Sequence, residues 1–136
     1  MRLAVLCFIL LFLGTVGCKD KGEFRELSKG GITVQLIKKE DGQGIQYNVR
    51  IVPDVSHSIN IRSKNEQMFY KADSCFFIKQ SAGPKKIIAK AVEPIANGLQ
   101  NQFEYLVYFD NINTSYSLIY HDKYLSGEIF EFAFEN

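Results

Sequence analysis

With two histidines and three cysteines in 136 residues, the chain offers few places for side-chain chemistry. Cys75, in Asp73-Ser74-Cys75-Phe76-Phe77, is the one thiol with nucleophile potential, and His121 or His57 would have to reach it in space to act as its base. A reactive thiolate needs electropositive surroundings, whereas Phe76, Phe77 and Ile78 are the neighbours of a small buried hydrophobe. His57 lies in the polar run Val55-Ser56-His57-Ser58, and His121-Asp122 follows a strand candidate, so both histidines read as loop or turn residues. The chain has no HExxH, CxxC, GxSxG or phosphate-cradling glycine loop. Asp110, Asn111 and Asn113 are oxygen donors at spacings seen in calcium loops, but no following glycine or bidentate acid completes the pattern, and an Asx-rich turn accounts for them. The expectation is a noncatalytic protein with no metal site and no cofactor.

Tyrosine gives the remaining functional colour. Tyr105, Tyr108, Tyr116, Tyr120 and Tyr124 are five of the seven tyrosines and fall within one 20-residue segment. A tyrosine joins a large apolar area to a hydroxyl, so any of this set on an exposed sheet face or loop would suit a partner-binding patch, with Tyr116, Tyr120 and Tyr124 as the contacts. The competing explanation is that strands favour tyrosine and that most of these rings pack a core.

The elements that must position these residues begin with a leader. In MRLAVLCFILLFL, Arg2 is the only charge and Leu3 to Leu13 are apolar, the positive start and short apolar middle of a secretory signal. The uncharged stretch from Leu3 to Gly17 falls short of the roughly 20 residues that span a bilayer. It ends in Thr15-Val16-Gly17-Cys18, which resembles the lipobox of bacterial lipoproteins. Gly17 and Cys18 match the strict positions, and Thr15 stands where leucine is commoner. The resemblance covers residues 1–18 and implies cleavage before Cys18, a diacylglycerol on its thiol and acylation of the freed amine. Two or more buried chains anchor stably where one holds only marginally. An ordinary secretory signal with an incidental cysteine is the alternative.

On this reading residues 1–17 are a signal peptide, 18–23 a lipidated cysteine and polar tether, and 24–136 a single domain. Fifteen basic and fifteen acidic residues follow Cys18, so the mature chain is formally neutral. A nucleic-acid partner, which needs a basic patch, is not expected. Cys75 is left without a disulfide partner, so packing must hold the fold. Lys19 lacks the aspartate that favours inner-membrane retention in enteric lipoproteins, and Lys19-Asp20 loosely resembles the surface-export signal of Bacteroidota lipoproteins. The expected address is the cell envelope, at the outer membrane, with the periplasmic or surface face left open.

Downstream the dominant period is two. Ile32, Val34 and Leu36, a turn at Asp41-Gly42-Gln43-Gly44, then Ile45, Tyr47, Val49 and Ile51 read as a β-hairpin stopped by Pro53-Asp54. A weaker strand over Ile59 and Ile61, apolar runs at Met68–Tyr70 and Ser74–Lys79, and a candidate from Lys86 to Val92 follow. Phe103 to Phe109 is apolar on both faces, as for a central strand covered on both sides. Tyr116 to Tyr120 and a final strand with Phe130, Phe132 and Phe134 on one face complete the set. The only stretch with a helical argument is Val92 to Gln102, and Pro94 and Gly98 limit it to a turn. Seven to nine short strands punctuated by Gly and Pro predict an all-β fold, an antiparallel immunoglobulin-like sandwich. The part from Phe103 to Phe134 is similar in pattern to the telokin-like, immunoglobulin-like domains of bacterial lipoproteins.

Three functions fit these features. The leading one is a lipid-anchored, noncatalytic envelope module that binds a protein or an envelope glycan. The second is an inhibitor or immunity lipoprotein that blocks an enzyme or toxin. The third is a hydrolase or thiol enzyme, for which the sequence assembles no constellation.

Overall fold

The computed structural model describes residues 22–54, 61–99 and 101–135. Among these residues lie nine strands: β1 (Glu23–Lys29), β2 (Ile32–Glu40), β3 (Gly44–Pro53), β4 (Phe76–Gln80), β5 (Lys86–Ile88), β6 (Ala91–Ile95), β7 (Phe103–Asp110), β8 (Tyr116–His121) and β9 (Ile129–Phe134). They form a five-stranded sheet, β1-β2-β3-β7-β6, and a four-stranded sheet, β5-β4-β8-β9. Every pairing is antiparallel. The fold is therefore the all-β sandwich that the alternation predicts. Its order β2-β3-β7-β6 facing β9-β8-β4-β5 is the A-B-E-D and G-F-C-C′ order of immunoglobulin sandwiches, and β1 is an addition outside strand A.

Alternation decides which side chains meet between the sheets. Val34, Leu36, Tyr47, Val49, Tyr105 and Val107 point inward from the first sheet, and Phe76, Ile78, Leu118, Phe130 and Phe132 from the second. Where antibody domains join strands B and F by a disulfide, this chain joins β3 and β8 through a buried Tyr47 to Tyr116 hydroxyl hydrogen bond of 2.6 Å. One edge closes where the chain passes from β5 in one sheet to β6 in the other, with the Lys90 N–H donating to the Tyr108 carbonyl at 2.7 Å. At the opposite edge Lys29 reaches Glu128 at 3.0 Å, and the Arg25 guanidinium lies 5.5 Å from the Phe134 ring centre.

β1 is a finding that alternation does not announce, since all seven of its residues are exposed. Its turn is legible after the fact: Gly30 and Gly31 both have positive φ, the geometry of a two-residue hairpin whose twist matches the strands. β1 runs away from the end of the sandwich that holds Lys38, Gly44 and Asp110. We call that the near end, and the end that holds Ile32, Pro53 and Phe103 the far end.

Three expectations are corrected. Residues Ile61–Tyr70 form a helix, α1, followed by a 3₁₀ turn over Ala72–Cys75, where the apolar run points to strand. α1 caps the far end of the sandwich, with only Met68 of the run Met68-Phe69-Tyr70 buried, while Phe69 and Tyr70 face outward. The strand candidate from Lys86 to Val92 divides into β5 and β6, which lie in different sheets, and β6 runs on through Pro94, tolerated because it is an edge strand. β7 is covered on one side only: Leu106 and Tyr108 are half-buried on the outer face by their neighbours within the sheet.

Candidate functional site

The residues singled out by type are dispersed or enclosed. Cys75 is 1 % exposed, and burial pushes its thiol up, against a smaller lowering from the Lys123 backbone N–H. It lies near the Tyr105 and Tyr120 side chains, whereas His121 alternates with Tyr120 onto the outer face of its sheet, opposite Ile129. The two do not form a nucleophile and base. Native Cys75 is expected to resist a thiol reagent and to label fully once the chain is unfolded, read by peptide mass mapping. Rapid labelling of the native fold would revive a thiol chemistry. His57 and Cys18 lie outside the described residues.

Tyr116 and Tyr120 are each 2 % exposed and stack on Phe134 and Phe130. They are core residues, which corrects their assignment as partner contacts: β8 turns Tyr116, Leu118 and Tyr120 to the same inner face. Tyr124 is half-buried in the loop after β8 and donates to the Lys71 carbonyl at 3.2 Å. Tyr105 points inward, and Tyr108 lies on the outer face of the first sheet. The five tyrosines make no common patch.

Asp110 reaches Lys90 at 3.3 Å, and the Asn111 Nδ2 donates to the Gly42 carbonyl at 2.8 Å, so both serve to bridge near-end loops. No group of three or more His, Cys, Asp or Glu side chains among the described residues is placed to hold a metal. Lys38 occupies a core-facing position of β2, 2.7 Å from Glu40 and over the rings of Tyr116 and Phe134 at 5.3 and 5.0 Å. Burial, the largest single influence, lowers its pKa, but Glu40 and Tyr116 together outweigh it and the net direction is upward. It is held as an ammonium, a poor nucleophile.

What the fold does assemble is a groove at the far end. The spacing of Ile61, Asn65 and Phe69 brings them to one face of α1, where, with Tyr70 at the helix end, they line an open cleft of about 570 Å³ against the β6–β7 connection. That volume lies within the range of ligand pockets. α1 is fixed there by a 2.6 Å hydrogen bond from the Tyr105 hydroxyl to the Met68 carbonyl and by the buried Met68 side chain. On the facing wall, the Asn97 Oδ1 accepts from the Leu99 N–H at 2.9 Å, and Gly98 and Asn101 take positive φ to turn the chain back into β7. The Asn97 Nδ2 is shielded and has no partner among the described residues.

The groove keeps apolar surface in water. Tyr70 is 76 % exposed and Leu99 55 %, and the Phe69 ring meets Tyr70 edge-on at 5.1 Å between centres. A second depression of about 230 Å³ adjoins it on the outer face of the first sheet, sharing Ile95 and Glu104 and adding Phe24 and Ile37. Six of the nine exposed large apolar residues among those described fall in these two depressions. Scattered single exposures are ordinary, but a contiguous set marks an interaction surface. The helical period at 61, 65 and 69 is the signal in the sequence that finds this site.

Among the described residues no helix is long and apolar enough to cross a membrane. No family model matches the chain, and no curated protein or solved structure is similar to it at a significant level.

Proposed function

We propose that this chain is a noncatalytic binding module of the cell envelope, held to the outer membrane by lipid on Cys18, that receives a protein or glycan in the far-end groove. The observation that carries this reading is the placement of that groove. β1 begins at Glu23, five positions after Cys18, and runs toward the far end, where Phe103 and Ile95 lie beside the groove. Glu23 pairs with Lys38, Lys38 with Tyr47 and Tyr47 with Val107, four residues along β7 from Phe103, which at about 3.4 Å per residue is roughly 14 Å. A lipid at one end thus leaves the apolar groove turned away from the bilayer, where an envelope partner can reach it. The inward Tyr116 and Tyr120 support the fold, and the contact role passes to Phe69, Tyr70 and Leu99.

Each half of the reading has its own test. A Cys18→Ala variant is expected to lose labelled fatty acid and to leave the membrane fraction; retention of both would remove the anchor. A photoreactive residue at Leu99 is expected to yield a discrete adduct in intact cells that the same probe at Glu131, on the outer face of the other sheet, does not give. Equal adducts at both positions, or none at Leu99, would count against the groove as the recognition site.

A further inference from the structure

We propose that the groove recognises a neutral glycan chain, with Tyr70 as the stacking platform, an inference that rests on the binding-module reading above. The argument starts from the kinds of polar group that surround the exposed rings. Asn65, Asn97, Asn101 and Gln102 all line the groove with Phe69 and Tyr70. A carboxamide carries donors and an acceptor together, and so does a sugar hydroxyl, so Asn65, Asn101 and Gln102 offer a rim matched to a ring of hydroxyls, with Asn97 shielded behind them. The C–H face of a pyranose packs on an aromatic ring, whose negative face attracts polarised hydrogens. Tyr70, with most of its ring in water and the Phe69 edge set against it, is placed to supply that face.

Charge narrows the ligand. Among the described residues that line the groove no lysine or arginine appears, and the charged side chains there are Glu66 and Glu104. Glu104 already accepts from the Arg50 Nε at 2.5 Å, so its charge is matched. The remaining carboxylate disfavours an anionic glycan, which would find no cation in this wall. A neutral chain meets no such penalty. The adjoining depression adds the Asn48 carboxamide and Arg50, and because Arg50 is paired with Glu104 it brings no unmatched charge. A linear glycan can therefore extend from Tyr70 over Ile95 toward Phe24.

A peptide fits less well. Addition of a strand beside the groove would use the β6 edge, and that strand is five residues long and contains Pro94, which has no N–H to give. An amphipathic helix needs a continuous apolar wall, which the carboxamides interrupt. The Asn97 Nδ2, without a partner among the described residues, points the same way: its Oδ1 is fixed on Leu99, which sets the orientation of the amide, and an acceptor admitted by a shift of this turn would satisfy the donor.

The test uses the full lipidated chain in a detergent without a sugar headgroup, titrated calorimetrically with chitohexaose, xylohexaose and maltohexaose, and with hexagalacturonate as the anionic counterpart. At least one neutral hexamer is expected to bind with a Kd between about 10 µM and 1 mM, and hexagalacturonate not to bind. Tyr70→Ala is expected to weaken that binding at least tenfold with an unchanged thermal midpoint, because the ring is exposed, and Tyr124→Phe to leave it unaltered. No heat with any neutral hexamer, tighter binding of hexagalacturonate, or unchanged affinity in Tyr70→Ala would each overturn the glycan. If the Leu99 photoprobe then captures a protein at the groove while every hexamer fails, the glycan is refuted and the binding module stands. If both experiments fail, both readings fall.

Discussion

Asp122→Asn is expected to destabilise the fold by about 2–4 kcal/mol, although the two side chains have nearly the same shape. Asp122 is fully buried and both of its oxygens act only as acceptors. One takes the Leu125 N–H and the Tyr120 hydroxyl, each at 3.2 Å, and the other the Ser126 N–H at 2.8 Å and its hydroxyl at 2.6 Å. An asparagine must turn its NH₂ toward one of these pairs in either orientation, and although the hydroxyl of that pair can rotate to accept, its backbone N–H is left opposed and unpaired in a place water cannot reach. The loop from Asp122 to Glu128 then loses its side-chain tie, and only the backbone bond from the Asp122 N–H to the Glu128 carbonyl, at 2.9 Å, still leads it into β9. Circular dichroism of the full chain should show the thermal midpoint lowered by roughly 10 °C or more. A midpoint within about 2 °C of the parent would show that this carboxylate does not organise the loop.

The second large effect is a steep alkaline unfolding. Burial first pushes the Tyr47, Tyr105 and Tyr120 phenols well above their ordinary value, followed by the Tyr116 hydrogen bond at Tyr47 and by the neighbouring Cys75 and Asp122 at Tyr105 and Tyr120. The folded chain therefore keeps these protons at a pH where the unfolded chain, with phenols near 10, has released them. Their contribution to stability is complete below about pH 10 and falls as pH rises, by about 1.4 kcal/mol per unit for each ring and about 4 kcal/mol for three together. The raised Cys75 thiol and Lys38 ammonium act in the same direction, the thiol from about pH 8.5 upward. Against a typical stability of 5–15 kcal/mol, the sandwich should be lost between about pH 11 and 13. Phenolate absorbance near 295 nm and far-ultraviolet dichroism are expected to change together in that transition for these three rings. Ionisation of all seven tyrosines with the sheet signal intact would contradict the enclosure of Tyr47, Tyr105 and Tyr120.

Much of the sandwich is legible in the chain because one face of each main strand is buried and the other wet. β2, β3 and β9 announce themselves by period two, since a slip of one residue would drive Val34, Tyr47 or Phe132 into water. The same rule, applied to Tyr116, Leu118 and Tyr120, places both tyrosines inside; their composition alone directs attention to binding and away from the core. β1 is hidden because a strand paired along one edge and exposed throughout carries no burial signal. α1 is hidden because Met68-Phe69-Tyr70 is apolar in sequence while tertiary packing takes only Met68. The groove depends on that helix and on the turn before β7, so it could not be drawn from strand patterns. Asp122 looks like any turn aspartate until the loop closes over it.

β1 adds almost nothing to the core, yet under the anchoring proposed above it is the segment through which a pull between groove and membrane would pass. Were lipid to hold the chain before Glu23 and a partner to draw on the far end, tension would run along the strand axis. The seven register pairs from Glu23 opposite Lys38 to Lys29 opposite Ile32 then resist sliding at the same time, where a pull across the strands would open them one after another. Under that anchoring the added strand would be a seam loaded in shear, so that a tug is shared along its whole length.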